Sequence, residues 1–245
     1  SGSRMLPLRR ACSDHRVMAR QPRFDLPGIP QHIVQRGNNR LPCFLDDVDR
    51  AHYLSLLREA LLDTECMLHA YVLMDNHVHL LVSPACTGAV SRLMQKLGRR
   101  YVRQFNLRHR RTGTLWEGRY KSCLVDSRDY LLRCYQYIDL NPVRARMTDV
   151  PESFRWTSCR AHCAQEDPLV THHRAYLELG SDTAERAAAY QAILYEPLSD
   201  DLLDEIRNYL QQQRALGCTD FQHMIQAKTQ RFAGIRPAHR PRKER

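Results

Sequence analysis

The spacing of hydrophobic and polar residues changes several times along the first half of the chain. Residues 29–36 form a first predicted strand, closed by a turn rich in Gly and Asn. Asp46 or Asp47 is a suitable cap for a helix whose apolar positions lie three and four residues apart. That apolar face comprises Val48, Ala51, Leu54, Leu57 and Leu61. Residues 67–74 and 77–83 are predicted strands, and the short connection between them favours antiparallel pairing.

Three further elements follow in the same region. A long amphipathic helix begins at Thr87, a fourth strand covers residues 115–125, and a last helix is stopped by Pro142. The predicted order is therefore β-α-β-β-α-β-α. Four strands with helices between them predict an α+β fold, in which a ferredoxin-like antiparallel sheet carries helices on one face.

The pattern changes again after residue 150, where a loop-rich connector leads into a helical extension. We predict helices over residues 181–195 and 200–215, and a shorter one over 220–229. The organisation we expect is an unstructured segment over 1–23, a main domain over 24–160, a helical extension over 161–233 and a basic, disordered tail over 234–245.

Composition excludes several classes of protein. No apolar run in the 245 residues approaches the roughly 18 residues needed to cross a bilayer. The nine cysteines are scattered and contain no Cys-x-x-Cys pair, which favours reduced thiols in a cytosol over a disulfide framework. A membrane protein, a small secreted protein and a zinc-finger array are therefore not expected.

The net charge of +10 is concentrated between residues 92 and 121. A one-sided basic stretch with interleaved aromatic residues is typical of a nucleic-acid-binding surface, and a solvated helix face is the alternative interpretation. Trp116 is a candidate for stacking on an unpaired base, or else a core residue. The candidate phosphate contacts are Arg99, Arg100, Arg103, Arg119 and Lys121.

His77 and His79 lie two residues apart in a predicted strand, so their side chains project from the same face. Two neutral imidazoles side by side suit a divalent cation. The alternative is one histidine hydrogen-bonded in a core and one exposed.

Tyr137 and Asn141 lie four residues apart and share a helix face. An amide oxygen is a suitable ligand for Mg²⁺ or Mn²⁺, and a phenol beside a metal-polarised phosphate is a candidate nucleophile. Alternatively, Tyr137 packs in the core and Asn141 only ends the helix. Tyr120 and Tyr135 are the rival nucleophiles, and we rank both as packing or DNA-contact residues.

Three sequence blocks together resemble the signatures of a known family. They are Met-Asp-Asn-His-Val-His-Leu-Leu-Val at 74–82, Leu-Trp-Glu-Gly-Arg-Tyr at 115–120 and Tyr-Ile-Asp-Leu-Asn-Pro-Val-Arg-Ala at 137–145. In order and spacing they resemble the single-tyrosine HUH transposases, and within them the REP-associated tyrosine transposases. The resemblance covers residues 24–160, while the extension and tail resemble larger family members only weakly.

The resemblance implies an HUH endonuclease core in which His77, His79 and Asn141 hold Mg²⁺ or Mn²⁺ and Tyr137 is the nucleophile. The turn containing Arg36, Asn38 and Arg40 also resembles the family and adds candidate DNA contacts. The implied substrate is single-stranded DNA with a hairpin at a repetitive extragenic palindrome, cleaved and rejoined through a 5′-phosphotyrosine.

We expect a monomer, with a dimer as the alternative, in the bacterial cytoplasm and associated with the nucleoid. Two other functions remain open. One is a non-catalytic binder of structured DNA or RNA on the same fold. The other is a metal-dependent phosphodiesterase that uses water.

Overall fold

The centre of the computed structural model, which describes residues 22–236, is one five-stranded sheet. The strands are β1 Gln31–Arg36, β2 Cys66–Leu73, β3 His77–Pro84, β4 Lys121–Val125 and β5 Ala215–Leu216. Their order across the sheet is β2-β3-β1-β4-β5. The predictions for residues 1–21 and 237–245 fall outside the described residues.

The first four strands pair antiparallel, whereas β5 pairs parallel to β4. Register brings three polar residues to one end of the sheet: Arg36 lies opposite His77 across β1 and β3, and Lys121 lies opposite Val34 across β4 and β1. Chain segments that are far apart in sequence therefore meet at this end of the sheet.

Nine helices are present in residues 22–236, not counting single 3₁₀ turns. They are α1 Asp47–Thr64, α2 Ala89–Arg108, α3 Leu131–Asp139, α4 Asn141–Arg144, α5 Cys159–His162, α6 Arg174–Leu177, α7 Thr183–Tyr195, α8 Asp200–Gln212 and α9 Thr219–Thr229. Of the two predicted caps for α1, Asp46 is the one that caps the helix. Its carboxylate accepts a hydrogen bond of 3.0 Å from the amide of Asp49.

Helices cover both faces of the sheet, so the prediction of helices on one face was incomplete. Val78, Leu80 and Val82 of β3 pack with α1 and α2 in one core. Leu81 belongs to a second core, with apolar residues of α3, α7 and α8. The physical reason is that β2 is apolar on both faces, with Leu68 and Leu73 in the first core and Ala70 and Val72 in the second, and a strand with two apolar faces needs cover on each.

The C-terminal extension shares the sheet and the second core with the rest of the chain. The amide of Leu124 in β4 donates to the carbonyl of Arg214 at 3.0 Å, and the amide of Asp126 donates to the carbonyl of Leu216 at 2.8 Å. Helix α8 ends at Gln212, before the end of the predicted helix over 200–215, because Gln213 adopts a left-handed conformation. The chain then forms β5. The extension is thus joined to the core by main-chain pairing.

Two other local predictions differ from the structure. The fourth strand begins at Lys121 and not at residue 115, because Gly118 has a positive φ of 76° that interrupts an extended backbone. On α1, Val48 is 58% exposed, while Asp49 points inward to the guanidinium of Arg108. The buried apolar face of α1 is formed by Tyr53, Leu56, Leu57, Ala60 and Leu61, so the first apolar positions of the predicted face point toward solvent.

Candidate functional site

The histidine pair occupies the start of β3, at the sheet end where β1 finishes. The rings of His77 and His79 lie on the same face, with their centroids 5.1 Å apart, while Val78 between them packs into the opposite core. His79 is buried and His77 is partly exposed. The pair therefore has one buried ring and one partly exposed ring, and both line the same cavity.

The Nδ1 atom of His77 is hydrogen-bonded to the side chain of Asn76. This nitrogen lies 2.7 Å from Oδ1 of Asn76, and Nδ2 of Asn76 donates to the carbonyl of Arg40 at 3.2 Å. The second bond orients the amide, so Nδ1 of His77 is the proton donor in the first. Nε2 of His77 then keeps its lone pair for a ligand.

A third histidine, which the sequence analysis did not single out, supports His79 in the same way. Nε2 of His32 in β1 lies 2.8 Å from Nδ1 of His79. His32 is fully buried, and within the described part of the chain its own Nδ1 has no hydrogen-bond partner. Alternation along β1 was an available signal, since it places His32 on the same sheet face as Val34, the register partner of His79.

All three imidazoles are held neutral by their surroundings. Burial, with a smaller effect of Arg36, lowers the pKa of His77 to about 4. Burial and Arg144 lower the pKa of His32 to about 3, and burial lowers the pKa of His79 well below its usual value. Neutral rings offer lone pairs rather than positive charge, which is what a cation requires.

Tyr137 reaches this cluster from α3 of the same chain. Its ring centroid lies 5.8 Å from that of His79 and 5.6 Å from that of His32, and the residue is 6% exposed. The guanidinium of Arg144 lies over the ring, 4.4 Å from its centroid. Burial by itself would lower the pKa of Arg207. The interactions with Asp204 and with the Tyr137 phenol outweigh that effect, so the pKa of Arg207 is raised. Two cations thus flank the tyrosine.

Asn141 begins the helical turn that follows α3. Its Nδ2 donates to the carbonyl of Tyr137 at 2.9 Å, which assigns the orientation of the amide and leaves Oδ1 for another partner. A cavity of about 430 Å³ is lined by all four residues of the predicted histidine, tyrosine and asparagine set, together with basic residues. The lining includes His77, His79, Tyr137, Asn141, Arg36, Lys121 and Arg207.

Helix α3 is fixed from behind by the C-terminal extension. The buried carboxylate of Asp139 accepts hydrogen bonds from Nδ1 of His162 at 2.7 Å and from the hydroxyl of Tyr190 at 2.6 Å. Tyr135, a rival nucleophile, stacks on His162 at 4.4 Å between centroids and so faces away from the cavity. The other ring nitrogen of His162, Nε2, lies 2.9 Å from the carbonyl oxygen of His69, so both nitrogens of this buried ring are engaged.

The predicted DNA contacts fall into separate groups. Arg36, Arg119 and Lys121 line cavities at the site end of the sheet. Asn38 and Arg40 belong to the turn that supports Asn76 through the Arg40 carbonyl.

The remaining candidates lie on or beneath α2, across the sheet from Tyr137. Arg99, Arg100 and Arg103 lie on α2, whose apolar side packs on the sheet, and Arg100 pairs with Glu59. Trp116 is buried, with its ring centroid 6.0 Å from that of Tyr101. The structure does not bring these four residues to the tyrosine cavity.

Tyr120 also lies away from the histidine pair, with the guanidinium of Arg23 over its ring at 3.8 Å. Elsewhere among residues 22–236, candidate ligand atoms of Asp126, Asp129 and Cys218 lie within 4.8 Å of one another. This group lies beyond the opposite end of β4 from Lys121 and contacts none of the predicted site residues.

The fold is that of the HUH transposases, and comparison with known proteins gives a family match over part of the chain. Residues 27–141 match the sequence profile of the family described as "Transposase IS200 like". This range extends from just before β1 to Asn141 and contains the histidine pair and Tyr137. Over these residues, which make up just under half of the chain, the sequence is similar to the IS200-like transposases, a family of DNA-processing enzymes.

One solved structure agrees with this chain at the level of the fold. The structure of a REP-associated tyrosine transposase bound to a REP hairpin has a TM-score of 0.52 and 16% identity, covering 64% of this chain and 96% of that chain. A transposase structure from Deinococcus radiodurans has a TM-score of 0.35 and 20% identity, covering 53% of this chain and 92% of that chain. No curated protein matches the chain. None of the helices in residues 22–236 is both long and apolar enough to span a membrane.

Proposed function

We propose that this transposase cleaves and rejoins single-stranded DNA beside a hairpin, using Tyr137 as the nucleophile. The observation that carries the proposal is the position of the Tyr137 ring beside His79, in a cavity that His77 also lines, with both Nδ1 atoms of the histidine pair already engaged. A site of this kind has a nucleophile and free donor atoms facing one cavity.

The residues present fit a divalent cation, Mg²⁺ or Mn²⁺. Nε2 of His77, Nε2 of His79 and Oδ1 of Asn141 would hold it, because the other polar atoms of these side chains already have partners. Two nitrogens and one oxygen leave positions for phosphate oxygens and water. When bound, the ion would polarise the scissile phosphate.

The chain's own residues then carry the covalent step. The Tyr137 oxygen forms a bond to phosphorus as the bond to the 3′ oxygen breaks, giving a 5′-phosphotyrosine and a free 3′-hydroxyl. The phenolic proton leaves to solvent, the departing 3′ oxygen takes a proton from solvent, and Arg207 and Arg144 stabilise negative charge at the phenol. Attack of a 3′-hydroxyl on the phosphotyrosine reverses the step and joins strands without a nucleotide cofactor.

The substrate we propose is DNA of the repetitive extragenic palindrome type. Support comes from the fold likeness to a transposase bound to a REP hairpin and from the basic residues at the cavity. Because Tyr137 belongs to the same chain as the histidine pair, a monomer suffices for the reaction.

The test is incubation of the full chain with hairpin DNA bearing single-stranded flanks, with Mg²⁺ or Mn²⁺. A covalent protein–DNA adduct is expected, and it should vanish in Tyr137→Phe while binding persists. Cleavage without an adduct, undiminished by Tyr137→Phe, would identify a phosphodiesterase that uses water. Binding without any cleavage would identify a non-catalytic binder on the same fold.

A further inference from the structure

A second cavity of about 430 Å³ lies next to the tyrosine site, between the sheet end and the C-terminal extension. Its walls come from the segment before β1, the loop before β4, and residues after α8 and α9. Lining residues include Arg23, Arg119, Tyr120, Lys121, Arg214 and Arg231. The extension, which lies outside the residues matched to the transposase family, thus builds one wall.

A smaller cavity of about 110 Å³ joins the two. It shares Arg36, Lys121 and Gln211 with the tyrosine cavity, and shares Glu117, Arg119 and Lys121 with the second cavity. We call the path along these three neighbouring cavities, which share lining residues, the extension groove. It begins at Tyr137, passes Lys121 and ends at Arg214 and Arg231.

The arginines at the far end of the extension groove are held by main-chain carbonyls. Arg214 donates from Nη1 to the carbonyl of Phe232 at 2.7 Å, and Arg231 donates from Nη2 to the carbonyl of Pro22 at 2.6 Å. Neither forms an ion pair with a carboxylate of residues 22–236. Glu117 is the single acidic residue among those lining this cavity.

These positive charges also act on one another. The pKa of Arg214 is lowered, first by burial and then by the positive charges of Arg236 and Arg231. Like charges kept close in a fixed geometry raise the free energy of the folded protein, and a polyanion removes that cost when it binds. Guanidinium groups oriented by carbonyls are therefore prepared for several phosphates rather than for one internal carboxylate.

We infer that the extension groove binds the single strand that leads to the scissile phosphate, with Arg214 and Arg231 contacting its backbone. The inference rests on the proposed function, because the path begins at Tyr137. A chain of phosphates fits a path through three connected cavities, whereas a free phosphate ion would occupy one position only. Tyr120, with the guanidinium of Arg23 over its ring, lines the same path.

The experiment measures binding of the full chain to three DNA probes over a range of salt concentrations. The probes are a blunt hairpin, the same hairpin with a 5′ single-stranded tail of about 10 nucleotides, and the same hairpin with a 3′ tail of that length. The test variant is R214Q/R231Q. The matched control is R58Q/R128Q, which removes two exposed arginines away from the extension groove.

Each phosphate contact contributes about 0.7 to the salt-dependence slope of single-strand binding. We expect R214Q/R231Q to reduce the magnitude of that slope by about 1.4 for one tailed probe and to leave blunt-hairpin binding unchanged. The control should change neither. Because the substitution also removes carbonyl contacts, R214K/R231K is the second variant, and it should restore most of the slope.

An unchanged slope for both tailed probes in R214Q/R231Q would overturn the inference. So would failure of R214K/R231K to restore the slope in a folded protein, since the effect would then be structural. The adduct assay separates the two proposals. Adduct formation with an unchanged slope rejects only the groove, whereas a reduced slope without any adduct rejects only the catalytic proposal.

Discussion

Nε2 of His32 lies 2.8 Å from Nδ1 of His79, so two buried histidines share one hydrogen bond directly behind the candidate metal site. Only one of the two nitrogens carries the proton. If Nδ1 of His79 donates, Nε2 of His79 is free for a cation and His32 carries its proton on Nδ1. If His32 donates instead, the proton of His79 lies on Nε2 and blocks the ligand position.

We predict that His32 raises metal affinity by accepting that proton. His32→Leu should weaken Mn²⁺ binding by roughly 10–100-fold, because the hydrogen-bond acceptor behind His79 is lost. His32→Gln, whose amide oxygen can accept, should retain most of the affinity. Isothermal titration of the DNA-free protein with Mn²⁺ measures both variants.

His69→Gln is a suitable control, since His69 is a buried histidine of β2 that bonds to Ser83 and Thr171 instead. It should bind Mn²⁺ as the unmodified protein does. Equal affinity of His32→Leu and the unmodified protein would contradict the role assigned to His32.

The stability of the metal-free protein should fall as pH is lowered below about 6.5. Burial lowers the pKa of His69 to about 4, against the effect of its hydrogen bond to the carbonyl of Thr171. Between pH 6.5 and pH 4 the unfolded chain binds a proton at this residue and the folded protein does not. The free energy of unfolding therefore has its full value above pH 6.5. Protonation of His69 in the unfolded chain lowers it between pH 6.5 and pH 4, by at most about 1.4 kcal/mol per pH unit.

Urea unfolding at pH 7 and pH 5, in the presence of a chelator, measures this dependence. His69→Gln should be less stable than the unmodified protein at pH 7, and the difference should shrink at pH 5. A difference that stays constant across this range would show that His69 titrates normally in the folded state.

Asp139 should be a main attachment between α3 and the extension. Asp139→Ala leaves the hydroxyl of Tyr190 and Nδ1 of His162 buried without their acceptor, which is expected to cost about 3–5 kcal/mol of unfolding free energy. Glu178→Ala, which removes an exposed ion pair with Arg174, should cost no more than about 0.5 kcal/mol. Comparable losses in the two variants would show that the buried network contributes little.

The two pairs of candidate site residues could be predicted because the members of each pair lie close together in the sequence. His77 and His79 share a strand face by alternation, and Tyr137 and Asn141 share a helix face by the helical repeat. The antiparallel pairing of β2 and β3 follows from their short connection in the same way. The confirmed fold class rests on such short-range rules, with the family resemblance added to them.

Features that depend on distant packing could not be predicted in this way. The contact between His32 and His79 requires the register of β1 against β3, and β5 requires the extension to return to the edge strand β4. The basic residues of α2 illustrate the same limit. Composition identified Arg103 as part of a basic cluster, but only packing shows that α2 lies on the opposite face of the sheet from Tyr137.

Gly37 and Gly98 should respond in opposite directions to the same substitution. A Cβ at Gly37 would lie 2.2 Å from the carbonyl oxygen of Leu41, so Gly37→Ala must distort the turn and should cost about 1–3 kcal/mol. A Cβ at Gly98, within α2, would have its nearest neighbour at 3.9 Å, Nε1 of Trp116. Gly98→Ala should therefore stabilise the protein by up to about 1 kcal/mol.

The turn at Gly37 also connects to the histidine pair, because the carbonyl of Arg40 orients Asn76 behind His77. Gly37→Ala should consequently weaken Mn²⁺ binding as well as stability, whereas Gly98→Ala should leave Mn²⁺ binding unchanged. Urea unfolding and Mn²⁺ titration on the two variants separate these effects. A Gly37→Ala protein that is destabilised but binds Mn²⁺ normally would disconnect the turn from the metal site, since Asn76 would then hold His77 without the carbonyl of Arg40.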